Sequence, residues 1–164
     1  MNIWKIVAII LVGLVFGLWL VRLILPSQVD DVNPLMNCTD AVLNMGDVYF
    51  AVPEFDRVVI SENKSWCNYI LSKHKEVEMH GVYHTYLEFA VARNESYFDE
   101  GVGIFSSCFG FEPEGFKPPN LGWTRDNDWI RKRMKVYLLW DQVIHKVYHC
   151  GDTGMFPNWL IRIF

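Results

Sequence analysis

Residues Ile6–Val21 form sixteen consecutive positions without a charge, nearly all of them apolar. Extended to Ile3 and Leu25, the run holds only Lys5 and Arg22 as charges, one near each end. At ~1.5 Å per residue the longer run spans roughly 35 Å, enough to cross a hydrocarbon core with some tilt. Lys5 and Arg22 can snorkel to the two interfaces, where Trp4 and Trp19 also belong. A core helix is a poor fit, because such helices keep a polar face. A cleaved signal needs small residues just before the cut, and the run Leu18–Ser27 offers bulky ones there. The pattern predicts an uncleaved signal-anchor over residues 1–25, with the N-terminus cytoplasmic and the C-terminal domain extracytoplasmic.

Past the anchor the rhythm changes. Residues 26–36 hold two Pro and two Asp with no periodicity, and read as a juxtamembrane linker. A short helix is expected around residues 38–46, then strands at 47–52 and 57–60. Residues 65–78 predict a helix. Strict alternation from His80 to Arg93 predicts a strand, and residues 103–111 another. Residues 112–124, rich in Pro and Gly, predict a long surface loop. Residues 129–150 satisfy either a helix or a hairpin, and 159–164 a last strand. The expected fold class is α+β: a single N-terminal transmembrane helix plus one small disulfide-linked domain, residues 37–164, with an antiparallel sheet.

Composition narrows the function. The net charge is −4 and aromatics make up 15%. Phosphate neutralisation needs surplus Lys and Arg, so a nucleic-acid partner is not expected. The aromatic content excludes a disordered chain. All four cysteines, Cys38, Cys67, Cys108 and Cys150, follow the apolar run. An even count in an exported domain predicts two disulfides, with three pairings open. No Cys-x-x-Cys spacing occurs, which argues against a redox dithiol or a zinc knuckle. Three Asn-x-Ser/Thr triplets begin at Asn37, Asn63 and Asn94. They keep open a viral or eukaryotic type II glycoprotein, although a bacterial periplasmic domain suits the short N-terminal tail better.

The sharpest chemical pattern is a repeated His-x-Val-Tyr-His, at His80/His84 and His145/His149. Either pair could supply two ligands of a zinc or copper site. Neither carries the glutamate of a zincin. Half-exposed structural histidines are the plainer reading, so no metal and no cofactor is expected and the four histidines stand as the alternative. No nucleophile elbow and no phosphate-cradling glycine loop occurs. The acidic pairs Glu76/Glu78, Asp99/Glu100 and Glu112/Glu114 read as solvated surface. The basic run Arg131–Lys135 reads as a solvated edge, with lipid headgroups or an acidic partner as the functional alternative.

Phe111, Phe116, Leu121 and Trp123, among prolines and glycines, are the candidate partner-binding residues. The expected function is therefore a membrane-tethered extracytoplasmic binding module rather than an enzyme. It would touch membrane lipid through residues 3–25. Outside the cytoplasm it would hold a protein partner or inhibit an exported enzyme, as an immunity, exclusion or accessory subunit does. The first alternative is a metal-dependent or carbohydrate-active ectodomain using the two histidine pairs.

Overall fold

A computed structural model describes residues 2–164. Helix α1 (Ile3–Ile24) is 22 residues long, with none of its residues buried. Among the described residues it is the one helix long and apolar enough to cross a membrane. Only residues 25–27 separate it from strand β1 (Gln28–Val32), whose five residues are all buried. The linker expected at 26–36 is therefore corrected: its centre is a strand of the core.

The remaining strands are β2 (Val48–Ala51), β3 (Glu54–Phe55), β4 (Val58–Val59), β5 (Glu76–His80), β6 (Gly115–Lys117), β7 (Lys135–Val136) and β8 (Val147–His149). Six of them form one sheet in the order β7-β6-β5-β2-β1-β8, and every pairing in it is parallel. The expected antiparallel sheet is thus wrong; antiparallel pairing is confined to the small β3–β4 hairpin. The spatial order is chain order read around a ring, opened between β7 and β8. Parallel neighbours need crossover connections, which is why most gaps between strands are long.

The helices follow from local signals. Asn94 caps α4 (Glu95–Phe109), its side chain accepting from the Tyr97 N–H, and Gly110 closes it in the left-handed conformation at φ 84°. Phe98, Val102, Phe105 and Phe109 then fall on one buried face at helical spacing. The strand expected at 103–111 is part of this helix. Asn63 caps α3 (Lys64–Leu71) in the same way, accepting from Trp66 N–H. Two of the three Asn-x-Ser/Thr triplets thus have their asparagine engaged as a helix cap.

The strand expected over 80–93 ends at His80, where Gly81 turns the chain at φ 64°. Residues 129–150 are neither one helix nor a hairpin. They run through a 3-10 stretch, β7, α5 (Leu139–Ile144) and β8. The last expected strand is helix α6 (Asn158–Ile163), and α2 (Asp40–Leu43) matches the short helix expected near 38–46.

One face of the sheet, with Val29, Tyr49, Val77, Met79 and Phe116, packs on α3 and α4 to form the main core. Phe116 sits against Phe89 and Phe98 at ring distances of 4.7 and 5.1 Å. Disulfides Cys38–Cys150 and Cys67–Cys108 close the chain, the first beside the end of β8 and the second joining α3 to α4. The other face carries Gln28, Asp30, Phe50, Glu78, His80 and Lys117, all buried. A sheet face this polar is not a packing surface, and it points to chemistry.

Glu78 shows the cost. Its carboxylate accepts from the backbone N–H of Gly115. Burial raises its pKa to about 7; the Gly115 hydrogen bond opposes that rise, and Glu76 and Glu114 add to it. The folded state holds this proton up to about pH 7, whereas an unfolded glutamate releases it near 4.5. The contribution to stability is complete below pH 4.5 and is lost as the pH rises through 7. Thermal denaturation should show stability falling between pH 5 and 8. In Glu78→Gln that fall should shrink, the remainder belonging to groups such as His80, and the variant should be more stable than its parent at pH 8.

Candidate metal centre

The charged groups of the polar face gather toward the C-terminal ends of the strands, where α/β sheets place their sites. β1 brings two consecutive carboxylates there. In a regular strand Asp30 and Asp31 would point to opposite faces. Asp31 instead adopts φ 63°, and the β1–β2 register shifts between Val29 and Val32. Breaking the alternation lets both carboxylates reach the site.

Asp31 Oδ1 lies 2.7 Å from His84 Nε2 and 3.3 Å from His80 Nε2. One ligand atom from each of the three residues falls within 4.8 Å of the others. His80 Nδ1 lies 2.9 Å from the Lys117 carbonyl oxygen. A carbonyl only accepts, so Nδ1 carries a hydrogen and donates to it, and Nε2, which faces Asp31, is the ring atom that can turn to an ion once it gives up its proton. Two imidazoles and a carboxylate brought together, with a ring nitrogen tied from behind, suit a divalent transition metal such as zinc. Burial raises the Asp31 pKa, but hydrogen bonds and charge from both histidines outweigh it and hold the group well below the usual carboxylate range. For His80 burial works against the charged form, yet Asp31 and Asp30 raise its pKa overall.

Asp30 has a separate set of partners. Lys117, completely buried, donates to Asp30 Oδ1 at 2.9 Å and to Gln28 Oε1 at 2.9 Å, and lies 2.8 Å from Asp30 Oδ2. Its ammonium also lies 4.9 Å from the centre of the Phe50 ring. On the other side of β1, His149 Nε2 stands 3.7 Å from Asp30 Oδ2. The site thus holds a ligand triad and, beside it, a carboxylate flanked by a lysine and a histidine.

His84 lies on a loop that a second buried carboxylate organises. Glu88, 1% exposed, accepts from the backbone N–H groups of Val82, Tyr83 and His84 at 3.1–3.2 Å and from the Tyr97 hydroxyl at 2.5 Å. Burial and this hydrogen bond push the Tyr97 pKa well up, so the tyrosine stays a donor. Collecting three amides on one side chain bends residues 82–88 into a turn where alternation predicted a strand. His84 itself sits at φ 54°.

The four histidines singled out by spacing therefore separate. His80 and His84 join Asp31, and His149 joins Asp30. His145 turns away, its Nδ1 2.7 Å from the Pro26 carbonyl oxygen. The candidate partner-binding residues do not form one surface. Phe116 is fully buried, Leu121 and Trp123 are half-buried, and only Phe111 is largely exposed. In the basic run, Arg131 pairs with Asp128 and Arg133 with Asp99. Asp30, Asp31 and Lys117 were missed in the sequence. Their signal was Val-Asp-Asp-Val standing ahead of a His-x-x-x-His spacing.

No protein-family model matches the chain, and no curated protein matches it in sequence. Solved structures do. The peptidoglycan deacetylase PdaC from Bacillus subtilis superposes with a TM-score of 0.50 at 18% identity, over 68% of this chain and 56% of that one. The polysaccharide deacetylase Bc1974 from Bacillus cereus gives 0.46 at 16% identity, over 69% of this chain and 59% of that one. The chain thus spans little more than half the length of the enzymes it resembles. The fold is similar to that of PdaC. The expected binding module is corrected: this fold and the buried triad do not fit it.

Two substitutions separate the roles in the site. Glu88→Ala should weaken zinc binding by about tenfold to a hundredfold in a competitive chelator titration, because the loop no longer holds His84 in place. Lys117→Met should cost about 3–5 kcal/mol in chemical denaturation by stranding the Asp30 carboxylate, and adding Asp30→Asn should recover part of the loss.

Proposed function

We propose that the chain is a metal-dependent hydrolase that removes acetyl groups from an acetylated glycan, tethered to a membrane by an uncleaved α1. The Asp31–His80–His84 triad beside the Lys117-held Asp30 carries this reading. Asp31, His80 and His84 would hold the ion. Bound there, a divalent metal supplies Lewis acidity to a carbonyl oxygen and lowers the pKa of water.

The chain's own groups account for the proton transfers. Asp30, fixed by Lys117 and Gln28, accepts the proton of the attacking water as its oxygen bonds to the acetyl carbon. His149, across the site, gives its proton to the sugar nitrogen as the carbon–nitrogen bond breaks. Acetate and a free amine result, and a proton returned from Asp30 to His149 through solvent closes the cycle. Lys117 keeps Asp30 oriented and balances its charge during the wait.

Location follows from the short connection. Asp31 is seven residues past Ile24, so the site stands no more than about 25 Å from the end of α1. Two disulfides suit an oxidising compartment and support a site outside the cytoplasm with the N-terminus inside. The bacterial periplasm is the setting this reading favours, and the glycan must lie close to the bilayer.

The test is acetate release by the full chain in nanodiscs, offered N-acetylglucosamine oligomers and peptidoglycan strands with added zinc. Release should stop with chelator and return with metal. Asp30→Asn should lower kcat by about 10²–10⁴ while leaving zinc binding in place. A folded, zinc-loaded protein that frees no acetate from any of these glycans would sink the reading.

A further inference from the structure

Outside α1, a group of the exposed large apolar side chains lies on two short helices beside it. On α5, Leu139 and Trp140 are 64% and 74% exposed. On α6 and the turn before it, Phe156, Trp159, Ile163 and Phe164 are each at least half exposed. Soluble surfaces seldom gather so many large apolar groups.

These helices are continuous with the anchor. The Trp19 indole N–H donates to the Ile163 carbonyl at 3.1 Å. Phe164 closes an apolar cleft of about 570 Å³ whose other walls are Leu11, Val12, Val15, Phe16 and Trp19 of α1. Trp19 lies five residues before the end of α1, so at ~1.5 Å per residue it sits about 8 Å inside that end, and Leu11 about 20 Å. The end of α6 therefore runs alongside a part of α1 that the anchor reading puts below the membrane surface. A carbonyl at that depth needs a donor from the protein, and Trp19 supplies one for Ile163.

Charge is arranged to match. Arg22, Lys146 and Arg162 are bunched beside the apolar group. The Lys146 ammonium donates to the Arg162 carbonyl at 3.0 Å. Burial and then the Arg22 charge lower its pKa. Among the described residues none of these three cations forms an ion pair. Cations without acidic partners above an apolar wedge suit the phosphates of lipid headgroups.

We infer that α6 and α5 form a lipid-inserted collar around the anchor, with α6 dipping into the outer hydrocarbon layer and Arg22, Lys146 and Arg162 meeting headgroup phosphates. The collar rests on α1 being an uncleaved span. It is independent of the reaction at the site. It also fixes the domain's attitude: the N-terminal ends of the strands face the bilayer and the site faces away. The collar touches the site directly, since Asn158 at the start of α6 accepts from the His149 N–H at 2.9 Å and donates to its carbonyl at 2.8 Å.

Spin labels on the full chain test this in vesicles of phosphatidylcholine with a minority of phosphatidylglycerol. Separate variants Val12→Cys, Ile163→Cys and Tyr86→Cys carry a nitroxide, and collisions with oxygen and with a nickel chelate are read for each. The collar requires high oxygen and a loss of nickel collisions at 163, as at 12, with the reverse at 86. Nickel access at 163 with 12 in lipid overturns the collar and leaves the anchor standing. Protection at 163 from both reagents also overturns it, because a protein then covers α6. Nickel access at 12 removes the anchor and the collar together. The two intact disulfides, checked by mass in each variant, show that the labelled chains are folded.

Discussion

Two adjacent carboxylates, Asp30 and Asp31, are buried toward the end of β1, the strand beside the edge strand β8, at 3% and 4% exposure. An isolated pair of buried charges is far too costly for a domain of this size to carry. The ends of three other strands supply the compensation: His80 from β5, Lys117 from β6 and His149 from β8. The parallel arrangement makes this possible, because it brings those strand ends to the same edge of the sheet. An antiparallel sheet would have sent half of them to the opposite edge.

The compensation is uneven, and the unevenness assigns the roles. Asp31 faces two imidazoles, His80 and His84, whose ring nitrogens can turn from donors to it into ligands of an ion. Asp30 faces a lysine with no exit to solvent, whose N–H groups are already committed to Gln28 and Asp30. One carboxylate therefore shares its surroundings with two potential ligands, while the other is held by a buried ammonium. Two identical side chains, one residue apart, come to differ in function through the strands beside them. The left-handed turn at Asp31 makes the difference possible by breaking the strand's alternation.

How much of this the sequence displays depends on which face of the sheet a residue serves. Outer-face residues such as Tyr49, Ala51, Val77 and Met79 pack on helices, and the strands at 47–52 and 57–60 were legible as short apolar runs. β1 was not, because Gln28, Asp30 and Asp31 serve the site, and a buried polar strand reads like a linker. The helix α4 carried clear signals in Asn94, Gly110 and the Phe98–Phe109 periodicity, yet Val, Ile and Phe in its second half mimic a strand. The His-x-Val-Tyr-His repeat marked the right residues and the wrong grouping. Spacing brings His80 and His84 together through a turn that Glu88 creates from a distance of four residues. It cannot show that β8 separates His145 from His149 by running one toward Pro26 and the other toward Asp30.

The same polar face explains why the fold is stapled where it is. A sheet that gives one side to charges loses roughly half of the apolar burial that would otherwise hold its edges. β8 is one of the two edges, with three residues paired to β1. Cys150, immediately after His149, is bonded to Cys38, which follows β1, and Asn158 clasps the His149 backbone from α6. Covalent and hydrogen-bonded restraints thus converge on the edge strand that carries His149, adding to the burial of Val147 and Tyr148. A short edge strand held this way can present a histidine at a fixed distance from Asp30.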